Sequence, residues 1–90
     1  MPTIHLLIKG KVQGVFYRVS AKEEAKLLSI NGWVKNTPAG AVEAVASGLE
    51  ENLNAFIDWC KKGPPNAEVK TVEVTSLDDK IFVGFNIIRE

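Results

Sequence analysis

At the start of the chain Ile4, Leu6 and Ile8 alternate with His5, Leu7 and Lys9, a period of two that predicts a strand with one face on a core. The period then lengthens. Ala21, Ala25 and Leu28 recur at helical spacing while Lys22, Glu23 and Lys26 take the other side, which predicts an amphipathic helix ending before Gly32. Residues 33–36 and 41–46 predict two strands, with Thr37-Pro38-Ala39-Gly40 as the turn of a hairpin. A second helix is more fully marked. Ser47-Gly48-Leu49-Glu50 has capping-box spacing, and Leu53, Phe56, Ile57 and Cys60 form an apolar stripe behind it. Lys61 and Lys62 suit its negative end, Gly63 can take the left-handed position after it, and Pro64-Pro65 forbid continuation. Val72 and Val74 then alternate with hydroxyl and charged residues. After a hairpin turn at Asp78-Asp79-Lys80, Val83, Phe85 and Ile87 alternate again. The order strand, helix, strand, strand, helix, strand, strand predicts an α+β sandwich of the split βαβ kind. Two helices pack on one face of a four- to five-stranded, mostly antiparallel sheet.

Length and composition narrow the class. The 90 residues suffice for one core, so residues 1–90 are expected to form a single domain, and the opening at Met1 without a linker predicts a free-standing one. The 46% hydrophobic and 24% charged fractions are those of an ordinary soluble globular chain. Basic and acidic side chains cancel, 11 against 11, so neither nucleic acid nor membrane is expected as a partner, and a monomer is expected. The strands carry no cluster of exposed aromatics that would make an RNA-binding sheet. One cysteine cannot close an internal disulfide and fits a reducing compartment. No apolar run approaches the ~18 residues of a membrane span and no signal-peptide core is present, so a cytoplasmic location is expected.

The candidate chemistry sits where the first strand gives way to the first helix, in Gly10-Lys11-Val12-Gln13-Gly14-Val15-Phe16-Tyr17-Arg18. Glycines in such a loop let backbone N–H groups turn inward, the new helix aims its positive end at the same spot, and Arg18 adds a forked cation. That outline suits a phosphate. A nucleotide-type phosphate loop needs a longer gap between its glycines and then Lys-Ser/Thr, whereas Val15-Phe16-Tyr17-Arg18 follows here. Where a cysteine phosphatase places its nucleophile relative to the arginine stands Val12, which closes that route.

These residues resemble the signature of the acylphosphatases. The resemblance runs on through Gly32-Trp33-Val34-Lys35-Asn36, Gly40 to Glu43, Gly63-Pro64-Pro65 with Ala67 and Val69, and Phe85 with Ile87, in order and over nearly the whole chain. It implies a ferredoxin-like fold and metal-independent hydrolysis of the carboxyl–phosphate bond of small acyl phosphates, without cofactor or metal. By the same resemblance Arg18 is the phosphate-binding catalytic arginine and Asn36 orients the attacking water. Gln13, Gly14, Val15, Phe16, Tyr17 and Arg18 form the phosphate-binding loop. The physiological partners would be a small acyl phosphate and inorganic phosphate.

The residues agree with that chemistry on their own terms. The loop contains no carboxylate to act as acid or base, and the chain has no set of metal ligands at useful spacing near it. An alkoxide leaves badly from phosphorus without such help. A carboxylate, whose conjugate acid has a pKa of about 4, needs none. Two tasks remain, holding the phosphoryl oxygens and aiming a water, and a neutral amide can do the second without repelling the phosphate. An alternative in another class is a non-catalytic anion-binding regulatory module that keeps the cradle without turnover.

Plainer readings stand beside these. Trp33, Trp59 and Cys60 read as packing residues, Tyr17 as either a substrate contact or a packed helix start, His5 as a surface histidine, and Asp78-Asp79 as a turn and not a metal site. Two positions depart from the family pattern. Ala39 stands where an Asp usually precedes the hairpin glycine, which predicts a less rigid turn. Ser29 stands where glycine is frequent at the end of the first helix, and it is expected to be strained if it takes a positive φ.

Overall fold

A computed structural model describes residues 1–89. Its elements follow the predicted order: β1 (Thr3–Lys11), α1 (Tyr17–Leu27), β2 (Asn31–Asn36), β3 (Val42–Ser47), α2 (Glu50–Lys62), β4 (Glu68–Leu77) and β5 (Phe85–Ile87). The strands make one sheet in the order β4-β1-β3-β2-β5, antiparallel throughout except for the parallel pair β2 and β5. This is the α+β, ferredoxin-like split βαβ arrangement.

The period of two in β1 puts Leu6 and Ile8 at 0% exposure, where they meet Val34, Val42 and Ala44 of the neighbouring strands and Phe56 of α2. Ala21 and Ala25 from α1 and Leu53, Phe56 and Cys60 from α2 close the core from the helical side. Small residues in α1 let that helix lie near the sheet. Helix α1 ends in a Schellman motif, with Ser29 N–H donating to Lys26 O and Ile30 N–H to Ala25 O. Ser29 takes the left-handed position at φ +54°, which meets the condition under which strain is expected there. Helix α2 ends at Gly63, whose φ of +70° suits glycine, and Tyr17 Oη donates to the otherwise open Cys60 carbonyl at 2.8 Å.

Three expectations are corrected. The N-cap of α2 is Leu49, with no side-chain cap, and not Ser47. The segment after Asp78-Asp79 is no hairpin turn: β5 lies at the far edge of the sheet from β4, and β5 begins only at Phe85, leaving Val83 90% exposed. The physical reason is one network. After β4, residues 78–84 cross the ends of the intervening strands and are bonded at each one. Lys80 N–H donates to Thr3 Oγ1 on β1, Ser47 Oγ on β3 donates to Lys80 O, and Gly32 N–H on β2 donates to Gly84 O. Thr3 and Ser47, the buried polar residues of the fold, are therefore fully occupied, and the Ser47 hydroxyl is not available to α2. Asp79 does not turn the chain but faces the N-terminal ammonium at 3.3 Å. On the open face of the sheet His5 is partly exposed and pairs with Glu43 at 2.7 Å. Among the described residues no helix is long and apolar enough to cross a membrane.

Candidate active site

Strands β1 and β2 leave the sheet at the same end, since Ile8 and Asn36 both pair with Val42 of β3. The loop after β1 and the last residue of β2 therefore meet. Because β5 runs parallel to β2, the chain beyond Ile87 reaches this end too; Ile88 N–H donates to Val34 O, and Arg89 follows. A hollow of about 340 Å³ lies there, with Gly14, Phe16, Arg18, Asn36 and Arg89 in its wall. An adjoining hollow of about 440 Å³ shares Arg18, Asn36 and Arg89 and adds Thr37, Pro38 and Ile88. Among the described residues no carboxylate lines either one, and none pairs with either guanidinium. Among the described residues the site is positive.

Its backbone has an unusual shape. Gly14 has φ +75° and Phe16 φ +63°, with Val15 of ordinary sign between them. Alternating signs of φ turn successive N–H groups to one side, the geometry of an anion nest. An aromatic residue held left-handed costs on the order of 1 kcal/mol, and strain of this sort gathers at functional sites. Phe16 is also the N-cap of α1 and has no capping side chain, so the first-turn N–H groups of that helix receive no side-chain acceptor. They add to the positive end of the cradle.

Asn36 supplies the other half. Its Oδ1 is buried and has no hydrogen-bond partner among the described residues. A buried amide oxygen left unpaired costs roughly 1–3 kcal/mol, and Asn36 stands in the wall of both hollows.

The sequence-predicted residues divide between these roles. Gly14, Phe16, Tyr17, Arg18 and Asn36 all reach the hollow; Gln13 and Val15 do not line it. Val15 is buried in the core. Gln13 turns the other way, and its Nε2 donates to Thr37 O at 2.9 Å and Ala41 O at 2.8 Å, tying the loop to the β2–β3 turn. Tyr17 is 2% exposed, and its ring lies 5.4 Å from that of Trp59 between centroids. Helix-start packing accounts for it. Burial raises the Tyr17 phenol well above its usual range and pushes the Cys60 thiol up to about 12, so both stay protonated. Cys60 is thus no nucleophile at neutral pH. Arg89 was missed. Nothing near it in the sequence marks a site, and only the parallel pairing of β5 with β2 brings it beside Asn36. Among the described residues no three His, Cys, Asp or Glu side chains are grouped to hold a metal ion.

The acylphosphatase family model matches residues 4–87. An acylphosphatase of Thiobacillus denitrificans is 45% identical over 85 residues, 94% of either chain. One from Methylococcus capsulatus is 46% identical across 100% of this chain and 99% of its own. The crystal structure of acylphosphatase from Bacillus subtilis superposes with a TM-score of 0.96 at 33% identity, covering 99% of this chain and 100% of that one. Fold, strand-end hollow and sequence all lead to the same place, and the chain belongs to the acylphosphatase family.

Proposed function

We propose that this acylphosphatase hydrolyses small acyl phosphates without a metal, with the Gly14–Arg18 cradle and Arg18 holding the phosphoryl group and Asn36 aiming the water. The observation that carries the reading is the orphaned Oδ1 of Asn36 at the end of the sheet that also presents Arg18. An amide oxygen accepts one water hydrogen and so directs a lone pair of that water at phosphorus. The water oxygen bonds to phosphorus as the bond from phosphorus to the acyl oxygen breaks, and that electron pair leaves on the carboxylate. The water proton passes to a phosphoryl oxygen, giving carboxylate and inorganic phosphate. The carboxylate needs no proton to depart, which matches a hollow whose described residues include no acid. Arg18, the cradle N–H groups and the nearby charge of Arg89 offset the charge spread over the phosphoryl oxygens in the transition state. A small acyl phosphate as substrate in the cell, a monomeric single-domain state, a cytoplasmic setting and the absence of nucleic-acid or membrane partners are parts of the same proposal. The last rests on the balanced charge of the chain.

Two substitutions test it. Arg18→Ala removes a contact made in both ground and transition states, so competitive inhibition by inorganic phosphate and turnover both fall, turnover by about 10²–10³-fold. Asn36→Ala removes the contact to water alone, so turnover collapses while phosphate inhibition stays close to that of the parent. An active Asn36→Ala protein, or one that loses phosphate affinity as badly as Arg18→Ala, overturns the assignment. Activity that disappears in chelator and returns with a divalent ion overturns metal independence.

A further inference from the structure

Phe16 is 77% exposed although it is aromatic and sits in a strained left-handed conformation. Neither property adds to the stability of the fold. An exposed ring buries little apolar area, and an Asn or Gly would hold the same dihedrals with less strain. The ring stands in the wall of the hollow, one residue from the buried start of α1 and beside the anion nest. Two more apolar side chains share that wall, Val19 from the first turn of α1, 43% exposed, and the half-buried Ile87 of β5. The other apolar members, Val12 and Tyr17, are buried at 1% and 2% exposure and offer no more than an edge.

The reaction geometry gives this wall an occupant. Displacement at phosphorus is in line, so a water held at Asn36 drives the leaving carboxylate out on the opposite side. Among the described residues the charged and amide side chains of the hollow are those of Arg18, Asn36 and Arg89; what remains there for the acyl group is the apolar wall. We propose that Phe16, Val19 and Ile87 form an acyl subsite that selects acyl phosphates with apolar, above all aromatic, acyl groups. Phe16 makes the principal contact by laying its ring against the acyl group. The inference rests on the acylphosphatase reading above and deepens it. A hollow of about 340 Å³ falls within the range of small-ligand sites, large enough for more than the smallest acyl group. Selection by one apolar wall is modest, because removing part of an apolar contact changes a specificity ratio by about tenfold and not by orders of magnitude.

The test compares kcat/KM for benzoyl phosphate and acetyl phosphate in the parent protein, in Phe16→Asn and in Val19→Ser. Asn tolerates the left-handed dihedrals, so the cradle keeps its backbone while the ring is lost. The difference in intrinsic reactivity of the two substrates cancels when the ratio in a variant is divided by that in the parent. The benzoyl-to-acetyl ratio is expected to fall about tenfold in Phe16→Asn and about two- to threefold in Val19→Ser. A ratio within twofold of the parent in Phe16→Asn overturns the acyl subsite and leaves the acylphosphatase reading standing. A parent protein that hydrolyses neither substrate overturns that reading and this inference with it. Should Phe16→Asn not fold, an unchanged ratio in Val19→Ser overturns the subsite by itself.

Discussion

Ser29 shows how one side chain is held against its preference. The Schellman motif at the end of α1 needs a left-handed residue at this place, because only then do the Ser29 and Ile30 N–H groups turn back to Lys26 O and Ala25 O. Ile30, at 2% exposure, then packs into the core beside Ala25, and that burial outweighs the strain at Ser29. Glycine carries no such strain. Ser29→Gly is expected to raise stability by about 0.5–1 kcal/mol, read as a higher denaturant midpoint at unchanged slope. A lowered midpoint would show that the serine is unstrained. Ala39 behaves differently. The positive dihedral of the hairpin turn belongs to Gly40 at φ +89°, and Thr37 Oγ1 accepts from Ala41 N–H at 3.1 Å. The bond that an Asp at position 39 could offer is supplied from Thr37, so the expected slackness of the turn does not follow.

Between elements, the contact with most consequence for the site is the one Gln13 makes from the loop after β1 to the β2–β3 turn. Both hydrogens of its amide are used, one on Thr37 O and one on Ala41 O, and Thr37 adjoins Asn36. On the roles proposed for Asn36 and the cradle, these bonds set the distance between the attacking water and the phosphate. Gln13→Glu keeps the shape but turns a carboxylate oxygen toward two carbonyls, an arrangement of acceptors with no proton between them. Turnover is expected to fall by about 10–10²-fold, because small misplacement of a reacting group is costly. Inhibition by inorganic phosphate should shift far less, since Arg18 and the cradle N–H groups remain. Steady-state kinetics with a phosphate titration separate the two effects. Equal losses in both would place Gln13 in the phosphate contact itself.

Over the whole molecule, α1 and α2 are joined by the Tyr17 hydroxyl on the Cys60 carbonyl and by the packing of Tyr17, Trp59 and Phe56, and this junction gives stability a direction with pH. In the unfolded chain the Cys60 thiol ionises near its ordinary 9.0 and the Tyr17 phenol near 10.0, whereas burial in the fold raises both, Cys60 to about 12. Above pH ~9 the unfolded state therefore binds fewer protons than the folded one, and stability falls as pH rises. Below that range neither group contributes a slope. Denaturant midpoints measured from pH 7 to 11 should stay level with respect to these groups up to pH ~9 and then decline. Cys60→Ala should delay the onset toward the range where tyrosine ionises. A decline that begins at the same pH in Cys60→Ala would assign it to other groups.

The order of elements, the buried faces of β1, α1 and α2, and the candidates Arg18 and Asn36 were all readable from the chain, because each is written locally. A period of two or of 3.6, a glycine loop and a short motif are patterns among near neighbours. The errors fell where a local pattern had a distant competitor. Ser47 has the spacing of a helix cap, but its hydroxyl is bonded to Thr3 and Lys80, far along the chain, and neither could be foreseen from the segment itself. Residues 78–84 have the composition of a turn, yet they cross the ends of β1, β3 and β2 to put β5 at the opposite edge of the sheet. The site divides along the same line. Sequence alone marked the glycine loop and Arg18 as a candidate anion site, and its resemblance to the family added Asn36 as a candidate. Strand order, which depends on how nonlocal surfaces pack, decided that Asn36 meets the cradle, that Arg89 joins them, that Gln13 braces the loop from behind, and that the ring of Phe16 stands open at the mouth.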